Sequence, residues 1–150
     1  MKIGLVTLML SLALFSPTSS AVELAPCHTV RIGTIHFSPY SSHLWESQKD
    51  KLRDFVEEIA GSSCTIVYVR GYTAKTIYGN GSRHYRNQLS KARSLVAHAF
   101  IQQRLDMRGI DIDLRASWFA GRQPTATNET PAGQAKNRRV MVSFLSADEN

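Results

Sequence analysis

No internal repeat, low-complexity tract or interdomain linker interrupts this chain of 150 residues, so it reads as one domain rather than two. Signatures of common catalytic machinery are missing as well. There is no Gly-x-Ser-x-Gly elbow to expose a serine nucleophile and no Walker loop to cradle a phosphate. Gly79-Asn80-Gly81 lacks the rest of a phosphate-binding fingerprint and reads as a turn. The five histidines, His28, His36, His43, His84 and His98, are scattered, with no pair at metal-ligand spacing on a helix. The expectation is a protein without catalysis, cofactor or metal. Acidic residues are also scarce: 12 Asp and Glu stand against 18 Lys and Arg, a formal charge of +6. That excess favours anionic partners, among them nucleic acid, anionic lipid headgroups and an anionic cell wall. A hydrophobic share of 43% with 20% charged residues is ordinary for a globular domain and argues against disorder.

The apolar stretch from Ile3 to Phe15 is shorter than the roughly 20 residues needed to span a bilayer. Lys2 precedes it, Pro17 breaks it, and Ser19-Ser20-Ala21 places small residues where a signal peptidase cuts. Residues 1–21 therefore read as a signal peptide, with cleavage after Ala21 and a mature domain over 22–150. Removing them takes away Lys2 and no acid, which lowers the charge by one. Export argues against intracellular nucleic acid as a partner. Both cysteines, Cys27 and Cys64, fall in the mature part, and an even pair in an oxidising compartment is expected to form a disulfide. The alternative is lipidation of Cys27 after Leu24-Ala25-Pro26, although proline directly before the cysteine fits a lipobox poorly.

Along the mature chain, strands and helices alternate. Val30 to Phe37 is β-branched and aromatic, with Gly33 a candidate bulge. Between Leu44 and Ala60 the apolar positions Leu52, Phe55, Val56 and Ile59 fall at helical spacing, with Gly61 placed to cap. Thr65 to Tyr72 is a nearly continuous β-forming run. After a polar turn through Tyr78, a second helix is expected from about Ser82 to Arg108, with Leu89, Ala92, Val96, Ala99 and Phe100 as its buried stripe and Gly109 at its end. Ile110, Ile112, Leu114, Ala116 and Trp118 alternate with Asp111, Asp113 and Arg115, as in a half-buried strand. A loop over Gly121 to Gly133 leads to a last strand, Val140 to Leu145, and a tail. The order is β-α-β-α-β-β. Helical crossovers imply parallel pairing, and the last two strands are free to pair either way. An α+β fold with a mixed sheet and two helices on one face fits.

The arginines carry the chemistry. Arg93 lies in the second helix after Leu89-Ser90-Lys91-Ala92, and Arg138-Arg139 precede the last strand. A guanidinium fork grips a carboxylate through two parallel hydrogen bonds. For any single arginine, the ordinary alternative is a solvated side chain.

These residues resemble a family. Pro124, Asn128, Thr130, Gly133 and Asn137-Arg138-Arg139-Val140, together with Gly71-Tyr72-Thr73, Leu89-Ser90 with Arg93, and Phe37, Ser42, Leu44 and Leu52, resemble the OmpA C-terminal domain. That domain is shared with the peptidoglycan-associated lipoprotein and stator-associated motility proteins. The resemblance implies a grip on the diaminopimelate of the peptidoglycan stem peptide, an arginine taking its carboxylate and an aspartate after Gly-Tyr-Thr taking its ammonium. Arg93 stands at the arginine position, but the aspartate position holds Ala74. Ser38 and Tyr40 replace acidic residues of the first-strand motif, and Arg86 replaces an asparagine, with Asn87 one step away. The implied peptidoglycan site comprises Arg93, Thr73, Ala74, Ser42, Asn87, Leu89, Asn137 and Arg138. Loss of one charge-assisted hydrogen bond, about 1.5–3 kcal/mol, should weaken such binding roughly ten- to a hundred-fold. Two functions follow as expectations. One is a non-enzymatic periplasmic protein, free or associated with the outer membrane, that binds peptidoglycan weakly. The other is a scaffold for protein contacts in a secretion, conjugation or motility assembly.

Overall fold

The computed structural model describes residues 31–75 and 82–144. The expected signal peptide, Cys27, the turn through Tyr78 and the C-terminal tail lie outside them. Each β-rich run forms a short strand: β1 (Arg31–His36), β2 (Ile66–Gly71), β3 (Asp113–Trp118) and β4 (Arg139–Phe144). Two long helices, α1 (Glu46–Ala60) and α2 (Arg83–Asp106), and a short one, α3 (Pro131–Asn137), connect them.

The strands lie in the order β1-β4-β2-β3. β2 and β3 are parallel, as the α2 crossover requires, while β4 inserts between β1 and β2 and runs antiparallel to both. β1 and β2 therefore share a direction without pairing, and β3 and β4 do not meet. The register of β1 against β4 slips between Arg31 and Gly33, at the position expected for a bulge. Gly33 has a second reason to be glycine: a Cβ there would stand 2.2 Å from the Phe55 ring.

Local signals explain the helix ends. The Trp45 N–H donates to Gln48 Oε1 (2.9 Å), and the same side chain donates to the His36 carbonyl (3.0 Å), joining the start of α1 to the end of β1. Leu44 is buried but precedes the helix. Ser82 caps α2 by accepting from the Tyr85 N–H (3.1 Å). Past its other end Gly109 turns the chain at φ +66°, a conformation that suits glycine. α1 buries Leu52, Phe55, Val56 and Ile59, the expected stripe. Together with Ile35, Val67, Val69, Ile101, Leu105, Val140 and Val142 they form the core between the helices and one face of the sheet.

Three expectations about individual elements are corrected. The buried face of α2 is Ser90, Arg93, Ser94, Ala97, Ile101 and Leu105, whereas Leu89, Ala92, Val96 and Phe100 are only partly covered and Ala99 is exposed. The helix lies close to β2 where Ser90 and Ser94 face the strand. A Cβ on Gly71 would come within 2.1 Å of the Ser90 carbonyl oxygen, and Ser94 Oγ donates to the Val69 carbonyl (2.8 Å). Small side chains that satisfy their own hydroxyls fill this contact, so apolar periodicity alone misplaced the face. Second, the segment expected to be a loop through Gly133 ends in α3. Thr130 caps it by accepting from the Gly133 N–H (3.1 Å), and Pro131 occupies its first turn. β3 also begins later than expected, leaving Ile110 and Ile112 before the strand yet packed on the core.

Cys64 is buried and is not a free thiol. Among the described residues no helix is long and apolar enough to cross a membrane.

Candidate functional site

The turn after β1, the turn after β2, the first half of α2 and the C-terminal end of α3 converge on a cleft of about 240 Å³. Pro39, Tyr40, Thr73, Ala74, Tyr85, Arg86, Leu89, Arg93, Gln134 and Arg138 line it.

Arg93 forms its base and is fully buried. Among the described residues no carboxylate meets it. Instead Nε donates to the Ser41 carbonyl (2.8 Å), Nη2 to the Ser38 carbonyl (3.0 Å) and Nη1 to the Tyr72 carbonyl (3.2 Å). The guanidinium also lies 5.2 Å from the centre of the Phe37 ring. One side chain thus ties the turn after β1 to the turn after β2. Burial, reinforced by the positive charge of Arg138 and opposed by Tyr85, lowers its pKa to about 10, still a cation at neutral pH. Arg138 is half-buried, donates from Nε to the Phe37 carbonyl (3.1 Å), and has its pKa lowered chiefly by burial. Thr73 contributes a buried hydroxyl with no hydrogen-bond partner. Tyr40 stands 63% exposed at φ +54°, a costly backbone conformation for a bulky residue, in the turn that Arg93 anchors.

Cations, phenols and an unpartnered hydroxyl line this cleft, and among the described residues no carboxylate does. It offers donors to an anion and no negative side chain to an ammonium. Each Arg93 nitrogen already serves a backbone carbonyl, so its contribution to a ligand is charge more than a vacant fork.

Of the residues singled out in the sequence, Thr73, Ala74, Leu89, Arg93 and Arg138 meet here. Ser42 is half-buried outside the lining. Asn87 borders a neighbouring cleft instead. Asn137 is fully buried and serves the loop before α3. Its Oδ1 accepts from the Thr125 and Ala126 N–H groups (2.8 and 3.1 Å), and its Nδ2 donates to the Ala126 carbonyl (2.7 Å) and to Asn128 Oδ1 (3.1 Å). Asn128 Oδ1 in turn accepts from the Lys75 N–H (2.9 Å), fixing the turn after β2 from below. Pro39, Tyr85 and Gln134 were not foreseen as lining, whereas Tyr40 and Arg86 had been marked as departures from the family motifs and do line it. Helical spacing from Leu89 and Arg93 reaches Tyr85 and Arg86. Gln134 had no such signal while α3 was read as loop. Among the described residues no cluster of His, Cys, Asp and Glu suits a metal ion.

The sequence matches the OmpA family over residues 36–138, and the chain belongs to that family. Similar solved structures include the cell wall anchor of the T6SS from Pseudomonas aeruginosa, at TM-score 0.60 and 22% identity over 75% of this chain and 79% of that one. The C-terminal domain of Helicobacter pylori MotB superimposes at TM-score 0.64 with 19% identity, covering 77% and 87%. The peptidoglycan-associated lipoprotein of Burkholderia pseudomallei does so at 0.60 and 18%, covering 77% and 91%. At these identities the likeness is one of fold. No curated protein matches the chain.

Proposed function

We propose that this chain is a non-enzymatic periplasmic protein that associates with peptidoglycan through the cleft beside Arg93, recognising a stem-peptide carboxylate. The observation that carries the reading is the convergence of Arg93, Arg138 and the unpartnered Thr73 hydroxyl in one cleft with no acid in its wall among the described residues. With Ala74 in the turn after β2, the ammonium of a zwitterionic diaminopimelate gains no charge partner, so the association is weak. Export by a signal peptide cleaved after Ala21, a mature domain over 22–150 and a Cys27–Cys64 disulfide belong to the same proposal. The family membership and the envelope proteins that share the fold support it.

Sedimentation with purified sacculi at low salt tests it. Wild type should pellet weakly, Arg138→Gln less, and Ala74→Asp roughly ten- to a hundred-fold more tightly. Wild type and Ala74→Asp both remaining in the supernatant would refute the reading.

A second reading is favoured by the use of all three Arg93 nitrogens on backbone carbonyls. There the arginine is a structural tie, and the domain serves as a scaffold in an envelope-spanning secretion, conjugation or motility assembly. Recovery of one stoichiometric protein partner from envelope extracts, undiminished by Arg138→Gln, would support it over the first.

A further inference from the structure

A second cleft, of about 280 Å³, adjoins the first and shares Arg86 with it. Lys75, Arg83, Arg86 and Arg122 surround it, with Asn87 beside them and, among the described residues, no Asp or Glu in its lining. The sequence around it is equally one-sided. From Ile59 to Leu105 the chain carries seven Lys and Arg and not one acid. Glu129, the acid nearest Arg122 along the chain, is outside the lining. The ion pairs among the described residues lie on α1, between α1 and Arg108, and on β3, and none engages Lys75, Arg83 or Arg122.

Two of these side chains rest against the turn at Gly121. The Lys75 stem covers Gly121 so closely that a Cβ there would stand 2.6 Å from Lys75 Cγ. Arg122 donates from Nε to the Phe119 carbonyl (3.2 Å) and lies 5.9 Å from the centre of that ring. Arg83 and Arg86 are three residues apart on the first turns of α2 and so neighbours on its surface. Like charges gathered this way repel until an anion sits among them. One exposed charge pair contributes little, so a monocarboxylate engaging a single cation would bind poorly. A compact group with two or more negative charges engages several at once, and guanidinium forks match phosphate oxygens as well as carboxylates.

We propose that this second cleft binds a phosphate-bearing polyanion, a phosphomonoester or diphosphate group, carried by a lipid headgroup or by a soluble compound. It is separate from the peptidoglycan reading: Arg86 borders both clefts, but the other cations and the ligand chemistry differ.

Calorimetric titration of the purified protein with inorganic pyrophosphate tests it. Saturable binding is expected, weakened roughly tenfold in Arg83→Gln/Arg122→Gln. Both side chains are exposed, so the variant should fold. Lys49→Gln/Lys51→Gln, which removes the same charge from α1, should leave the affinity unchanged. Absence of saturable binding, or an equal loss in the two variants, would overturn the proposal. Phosphatidylcholine vesicles with and without diphosphoryl lipid A then assign the source. Pelleting only with lipid A, reversed by pyrophosphate, supports the lipid headgroup. Pyrophosphate binding without pelleting supports the soluble phosphate.

Discussion

Replacing Arg93 by methionine should destabilise the domain severely, and the size of the effect follows from its surroundings. The side chain is fully buried and donates three hydrogen bonds, to the Ser38, Ser41 and Tyr72 carbonyls. A hydrogen bond to a charged group contributes about 1.5–3 kcal/mol, so the three sum to roughly 5–9 kcal/mol before the cation's burial is counted. Taking a guanidinium out of water offsets several kcal/mol of that. Methionine fills much of the volume but leaves three carbonyls to find water at the cleft, so the net loss should be about 3 kcal/mol. With a urea slope of about 1.5 kcal/mol/M the midpoint should fall by about 2 M. Arg93→Lys keeps the charge but not the fork, and its midpoint should lie between the two. A methionine variant that unfolds at the wild-type urea concentration would refute the reasoning, because the two turns would then be held without the guanidinium. The same logic makes Arg93→Ala a poor probe of sacculus binding, since lost structure and lost ligand contact would look alike. Half-exposed Arg138 and the small Ala74 are the better handles.

Further tests probe the supports of the site. Gly71→Ala places a methyl against the Ser90 carbonyl and should lower stability by about 1–3 kcal/mol in urea unfolding. An unchanged midpoint would mean α2 can shift away from β2. Asn137→Ala removes the side chain that pins residues 125 to 128, and should cost about 2–4 kcal/mol with faster hydrogen exchange at the Thr125 and Ala126 amides. Unchanged exchange there would show that the loop holds itself. His36 has its pKa lowered by burial first and then by Lys51, Arg139 and Arg138. As pH falls from 6.5 toward that lower folded value, the unfolded chain takes up the proton first, so stability declines with acid across this window and is fully present above it. His36→Gln should flatten that slope in pH-dependent urea midpoints, and an equal slope in the variant would assign it to other groups.

Much of the architecture was legible along the chain. Runs rich in β-branched residues, and for β3 the alternation of apolar and polar residues, located four strands, and the spacing of Leu52, Phe55, Val56 and Ile59 gave both α1 and its buried face. Ser82 and Gly109 marked the limits of α2. These are local matters: periodicity and caps act over one or two turns, and the residues that decide them are sequence neighbours. The short α3 carried its own signal in Thr130-Pro131, but a seven-residue helix offers too little periodicity to stand out from a loop.

Charge and residue type, taken without coordinates, established an excess of cations and an arginine in the second helix, and the resemblance to the family marked the want of an acid at position 74. Which face of that helix is inside was decided only by assembly. β4 inserts between β1 and β2, α2 settles onto β2 through Ser90 and Ser94 against Gly71, and the turns after β1 and β2 come within reach of one guanidinium. Those three carbonyls belong to residues 21 to 55 positions away from Arg93 along the chain. A cation can be buried without a carboxylate only where such distant backbone oxygens converge, and no pattern of neighbouring letters encodes that convergence.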